Sequence, residues 1–146
     1  MKIGFLSNKI TLRGTEVALY DYADLNETLL GNNSIIITRE YDVVKNSRDV
    51  SYDAYQKFKN RFSDIMYYTN ESELDDIVVK NNIDILYIIK SGNTCDNLNT
   101  TKCKTIIHCV FESQYPHGDY YCCISEFVNT YNHTTIPVFP HLVRVA

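Results

Sequence analysis

Lys2-Ile3-Gly4-Phe5-Leu6-Ser7, then Asn8 to Leu12, then Arg13-Gly14-Thr15-Glu16 is the stretch on which the reading of this chain turns. The first six residues read as a buried strand, the next five as a loop, and the last four as the opening of an apolar-striped helix. A helix that starts just past a strand's carboxyl end aims free backbone N–H groups and the positive end of its dipole at whatever lies above the strand. An anion is the natural occupant there, with phosphate the leading choice. The glycine in this turn has two readings. Gly14 lets the backbone approach a phosphate while Thr15 donates from the helix N-terminus, or Gly14 simply completes a strand-to-helix turn of a kind many α/β folds carry without a ligand. Taken alone, the turn fits the second reading better. No Gly-x-Gly-x-x-Gly fingerprint and no Walker lysine accompany it, which sets aside dinucleotide-fingerprint enzymes and ordinary P-loop ATPases.

Outward from that turn, strand and helix patterns alternate. Residues 16–30 read as a helix with Ala18, Tyr22, Leu25 and Leu29 on its apolar face and Gly31 as a left-handed cap. Ser34–Thr38 is a β-branched run typical of a strand covered on both faces. The polar stretch 39–53 reads as a loop. Tyr55, Phe58 and Phe62 recur at helical spacing, and Ile65–Tyr68 is a short strand. Asn70 caps the next helix with Glu73 reaching back, and Leu74, Ile77 and Val78 form its buried stripe. Strands are expected at 83–89, 105–111 and 120–124. Ser125 then caps a helix with Phe127, Val128 and Tyr131 turned inward, before an extended 136–140. This alternation predicts an α/β fold with a mostly parallel sheet between two helical layers. Ligands of such sheets bind past the strands' carboxyl ends, where residues 8–15, 90–97 and 112–117 should converge.

The 146 residues fit one domain, residues 1–146, and 45% hydrophobic content supports an ordinary core. A net charge of −4 offers no basic stripe for nucleic acid. No apolar run is long enough to span a membrane and no signal peptide is visible. Five cysteines without a Cys-x-x-Cys pair point to reduced thiols in a cytoplasmic setting rather than to disulfides or zinc.

Two further features sit near the expected ligand edge. His108 interrupts the apolar run Ile106-Ile107-His108-Cys109-Val110-Phe111. It reads equally as a satisfied core histidine and as a hydrogen-bond partner of a ligand or transition state. The loop Glu112-Ser113-Gln114-Tyr115-Pro116-His117-Gly118-Asp119 has the side-chain density that suits sugar recognition, and also that of a solvated connection. The four histidines lack ligand spacing and no Asp-x-Asp occurs, so no metal site is expected.

Lys2-Ile3-Gly4-Phe5 followed by Leu12-Arg13-Gly14-Thr15-Glu16-Val17-Ala18 resembles the start of GT-B glycosyltransferases, specifically family 4-like enzymes of the type found in large DNA viruses and some bacteria. His108-Cys109-Val110-Phe111-Glu112, Pro116-His117-Gly118-Asp119, Ile124-Ser125 and Val138-Phe139-Pro140-His141 resemble later blocks of the same N-terminal domain. The resemblance implies a Rossmann-like three-layer sandwich, the acceptor-side half of a two-domain transferase. It implies a nucleotide-sugar donor, an unknown acceptor, and no metal or other cofactor. It implies donor contacts at Gly14 and Thr15 and a sugar-contacting His108. Arg13 is expected beside Gly14 on the donor side, His117 and Gly118 toward the acceptor, and Glu112 is the candidate base among the acidic residues near the expected cleft. The family's donor-binding domain, with its Glu-x7-Glu carboxylates, has no counterpart in these residues, so catalysis is expected to need a C-terminal GT-B domain or a partner chain. A cytoplasmic location (the host's, if the chain is viral) and self-association through an exposed apolar rim complete the expectation. The alternative is a non-catalytic nucleotide- or protein-binding module on the same fold.

Overall fold

The computed structural model describes residues 1–11, 14–46 and 50–142. Its order is β1 (Lys2–Leu6), α1 (Gly14–Thr28), β2 (Asn33–Arg39), α2 (Tyr41–Val44), α3 (Tyr52–Arg61), β3 (Ile65–Tyr68), a 3-10 turn (Glu71–Glu73) running into α4 (Leu74–Lys80), β4 (Ile85–Lys90), β5 (Lys104–Cys109), β6 (Tyr120–Cys123) and α5 (Glu126–Asn132). The six strands form one parallel sheet in the order β3-β2-β1-β4-β5-β6. This is the doubly wound order, and the fold is a Rossmann-like three-layer α/β sandwich.

Alternation of side chains along each strand divides the core in two. Leu6, Ile35, Ile37, Leu86, Ile88, Ile107 and Cys123 point to the face covered by Leu74 and Val78 of α4 and Val128 of α5. Phe5, Ile36 and Ile89 point to the other face, against Leu19 and Ala23 of α1 and Ala54, Tyr55 and Phe58 of α3. Side chains on both faces of β1, β2 and β4 are covered over most of their length, with Ile3, Ile85 and Tyr87 partly buried, which is why these strands read as unbroken apolar runs rather than alternating ones. Between β4 and β5, and between β5 and β6, the chain crosses without a helix. Leu98, 2% exposed, anchors the first of these loops into the core.

The structure departs from the sequence reading at several element ends. The buried residues of α1 are Glu16, Ala18, Leu19, Ala23 and Asn26, while Leu29 is exposed. Two of these are polar; of the expected apolar stripe Ala18 is buried, Tyr22 packs partly buried against the same core, Leu25 is partly buried, and Leu29 falls outside the buried face. Asn26 is buried because its Nδ2 donates to Ser34 Oγ at 2.9 Å and its Oδ1 accepts from Asn32 at 3.0 Å. In the 39–53 stretch the chain forms the short α2 rather than only a loop. Glu73 reaches back to the Thr69 backbone N–H at 3.1 Å, one residue before Asn70, whose own side chain caps Ser72 N–H at 3.0 Å. On α5, Val128 is buried but Phe127 and Tyr131 face out, and β5 ends at Cys109 with Phe111 exposed. The inward positions expected for Phe127 and Tyr131 are taken by Asn129 and Asn132. Their amides bond Ile136 O at 2.8 Å and Phe111 O at 2.8 Å and fasten the chain on either side of the helix.

Candidate functional site

All six strands run the same way, so the turns that follow them share one edge. The order reverses at β1, whose neighbours β2 and β4 are connected to it in opposite directions. Over this switch point lies a cavity of about 730 Å³. Three segments wall it: Ser7, Asn8 and Lys9 after β1 with Gly14, Thr15 and Glu16 of α1; Lys90, Ser91, Asn93, Cys95 and Asp96 after β4; and Val110 and Phe111 after β5. His141, from the extended C-terminal segment, completes the lining. Such crevices are where open α/β sheets hold ligands.

The first turn of α1 is built around Glu16. Its carboxylate is buried and accepts from Ser7 Oγ at 3.0 Å, from Thr11 Oγ1 at 2.9 Å and from the Thr15 hydroxyl. The strand end, the loop and the helix start are thus tied by one acidic side chain. A negative charge in the first turn is also favoured by the helix dipole. The protein therefore supplies an anion of its own beneath the place where the sequence suggests a phosphate. Gly14 sits above it, exposed, and a Cβ built there meets no atom within 4 Å. Its backbone is open to a ligand, and its φ does not demand glycine. Thr15 lines the cavity, but its hydroxyl is committed to Glu16. Arg13 lies outside the described residues.

Lys90 closes β4 with its side chain 5% exposed. Its ammonium donates to Asp96 Oδ1 at 2.8 Å and to His117 Nε2 at 2.9 Å. His117 Nδ1–H donates to the Tyr115 carbonyl at 2.6 Å, which sets the tautomer. His117 is thus held beside the cavity, on the wall of a smaller one of about 360 Å³ shared with Lys90 and Asp96. Glu112 stands one layer behind the cavity wall. Its Oε2 accepts from Asn93 Nδ2 at 2.6 Å and Ser91 Oγ at 3.2 Å, and so it fixes two side chains that do line the cavity. Gly92 makes this possible, because its φ of +130° brings the loop so close that a Cβ would lie 1.7 Å from the Glu112 carbonyl oxygen.

His108 is 2% exposed and is not part of the cavity lining. Its Nε2–H donates to the Phe139 carbonyl at 2.7 Å, and its Nδ1 accepts from the Tyr87 hydroxyl at 2.6 Å. Both nitrogens are spent inside the protein. Burial, and secondarily the neighbouring His141, hold its pKa below the usual imidazole range. His108 is linked to the cavity lining by His141, whose ring centroid is 5.4 Å away. His141 was quoted in a sequence block but given no role there. Its Nδ1 is 3.5 Å from the Tyr22 hydroxyl, and its buried Nε2 has no partner among the described residues.

Gly118 is at the other end of the sheet. It precedes β6 and packs against the start of β5. The next residue, Asp119, accepts from Thr105 N–H through its carboxylate at 2.8 Å and donates its own N–H to the Thr105 carbonyl at 3.0 Å. The glycine is needed because φ is +73° and a Cβ would lie 2.8 Å from Ile107 Cγ1. The structure thus brings Gly14 and Thr15 to one cavity, with Glu112 and His117 bordering it. His108 lies behind the wall, and Gly118 is at the opposite edge.

All five cysteines are free. Burial pushes the Cys109 thiol up to about 12 and the Cys122 thiol up to about 11, so neither is a thiolate nucleophile near neutral pH. Among the described residues no His, Cys, Asp and Glu side chains gather in a group that could hold a metal ion, and no helix is long and apolar enough to cross a membrane. No family model, no curated protein and no solved structure matches the chain.

Proposed function

We propose that this chain is the acceptor-side domain of a metal-independent glycosyltransferase, with the diphosphate and sugar of a nucleotide-sugar donor entering the switch-point cavity between it and a second domain. The supporting observation is the position of that cavity, at the carboxyl edge over the paired strands β1 and β4 where the loops that follow them part, beside an open α1 turn at Gly14. Ser91 and Asn93, locked by Glu112, present a hydroxyl and a carboxamide suited to sugar hydroxyls. Glu16 partly offsets the positive end of α1, so charge on the leaving nucleotide needs cations from the second domain as well. On this reading Glu112 positions Asn93, and His108 acts through His141 and the Phe139 segment.

A non-catalytic binding module on the same fold is the second reading. It is favoured by the pairing of Lys90 with Asp96 and His117 and of Glu16 with three hydroxyls, which leaves these groups little freedom to move a proton. Calorimetry with UDP, GDP, UDP-glucose and GDP-mannose separates the outcomes. The transferase reading expects weak binding that Asn93→Ala lowers, and sugar transfer when a donor-binding domain is supplied. Tight nucleotide binding without any transfer supports the module, and absence of binding by all four removes both nucleotide readings.

A further inference from the structure

Beside the switch-point cavity, on the α5 side, lies a groove of about 540 Å³ lined by Phe111, Glu112, Gln114, Ser125, Phe127 and Tyr131 among others. Three of these are large aromatic side chains held out in solvent: Phe111 is 70% exposed, Phe127 73% and Tyr131 72%. One exposed ring is ordinary, but a cluster on one groove marks a surface kept for contact. Phe127 and Tyr131 are one helical turn apart on α5. Their rings lie 6.1 Å apart with planes inclined by 26°, a near-parallel pair that stays largely exposed and offers aromatic faces to a ligand. Helix α5 is held underneath by Val128, Asn129 and Asn132, and the platform is therefore rigid without help from the two rings.

The polar groups of the same groove decide what covers it. The Ser125 hydroxyl stands at the N-cap position of α5 but makes no capping hydrogen bond. Glu112 engages Asn93 and Ser91 through Oε2 alone, which leaves Oε1 without a hydrogen bond among the described residues. Gln114 adds an exposed carboxamide on the same wall. A carboxylate, a hydroxyl and an amide around flat rings match a pyranose, which has one apolar C–H face and a rim of hydroxyls that both donate and accept. A purely apolar partner surface would leave these polar atoms buried and unpaired, at a cost.

We propose that this groove is a saccharide-binding site, with Phe127 and Tyr131 as the stacking platform and Glu112, Gln114 and Ser125 as hydroxyl partners. The site does not depend on nucleotide binding. It also shares Val110, Phe111 and Ile124 with the switch-point cavity, so a sugar seated here is one residue's thickness from a ligand seated there.

The test is a backbone amide NMR titration of the whole chain with maltotriose, cellotriose and chitotriose in turn, on the wild type and on Phe127→Ala and Tyr131→Ala. Both substitutions are at exposed positions, and a matching circular dichroism melt verifies that each variant folds. The expected result is saturable shifts at residues 111–115 and 125–131 with at least one trisaccharide, and about tenfold weaker binding in each variant. The proposal is overturned if none of the three sugars shifts these amides, or if a sugar binds Phe127→Ala and Tyr131→Ala as tightly as the wild type. It is overturned also if sedimentation shows the wild type to be a dimer that Phe127→Ala dissociates, because a second copy then covers the platform.

Discussion

Glu16 shows how one side chain can define the start of a fold. An isolated carboxylate is costly to bury, and this one is accommodated by three hydroxyl donors from the strand end, the loop and the helix itself. Glu16→Ala leaves those hydroxyls without their shared acceptor, and a loss of about 1–3 kcal/mol in urea denaturation is expected. A loss below about 0.5 kcal/mol, the range of an ordinary surface change, would show the cluster to be dispensable. His108 belongs to the same class of satisfied interior groups. His108→Ala orphans the Tyr87 hydroxyl and the Phe139 carbonyl, and it should lower stability by about 2–4 kcal/mol.

The pH dependence follows from burial of the same histidines. His108 and His141 both have pKa values lowered chiefly by desolvation. Around them stand Tyr22, Tyr87, Cys122 and the Phe139 carbonyl, and none is a carboxylate that would favour the charged ring. Below the ordinary imidazole pKa of about 6.5 the unfolded chain takes up protons that the folded chain does not. Stability from these groups is therefore complete above about pH 6.5 and declines as pH falls through that value toward the lowered folded pKa, by at most about 1.4 kcal/mol per pH unit for each histidine. Denaturation midpoints measured from pH 7.5 down to 5 should show this decline, and a His108→Gln variant should show less of it. Identical slopes in the two proteins would place the titration elsewhere.

At the scale of elements, legibility followed hydrophobic pattern. Strand β3 was readable to the residue as Ile65–Tyr68, and α4 was readable from Leu74 and Val78, because apolar side chains mark their buried positions. The buried face of α1 was legible only in part: Ala18 and Tyr22 were expected inward, but Glu16 and Asn26 occupy core positions through hydrogen bonds to residues that periodicity cannot foresee. The outward rings of α5 misled for the converse reason: Phe127 and Tyr131 satisfy helical spacing but serve the surface, and two asparagines hold the helix down. In the site, the edge and the Gly14 turn were legible from the order of elements. The roles of Asn93, Lys90 and His141 were not, because each depends on a partner distant in sequence. The glycines give a direct test of this distinction. Gly118→Ala should cost about 1–2 kcal/mol or more, because φ is +73° and Ile107 is in the way. Gly14→Ala should change stability by no more than about 0.5 kcal/mol, since its Cβ meets open space. Thermal melts of the two variants check both values, and equal losses would contradict the assignment.

At the scale of the whole molecule, topology creates the site. The first three strands build outward from β1 on one side, and α4 carries the chain to the opposite face of the sheet so that β4 is laid against the other side of β1. That reversal parts the loops after β1 and β4, and the parting is the cavity. The loops that follow β4 and β5 contain no helix, and several of their polar side chains fix one another: Lys90 with Asp96 and His117, and Glu112 with Asn93 and Ser91. The result is a preformed pocket with few mobile charged groups, which suits binding and orientation more than proton transfer. No described helix is long and apolar enough to cross a bilayer, and the groove of α5 lies beside the cavity at the sheet's carboxyl edge.

The most direct test of the account is a backbone amide NMR titration with UDP-glucose and GDP-mannose. The account predicts that shifts with at least one of them concentrate at Asn8, Gly14, Thr15, Ser91 and Asn93, while Gly118 and Asp119 at the opposite edge stay still. Shifts centred on Gly118 and Asp119, or none at the switch-point residues with either donor, would contradict it.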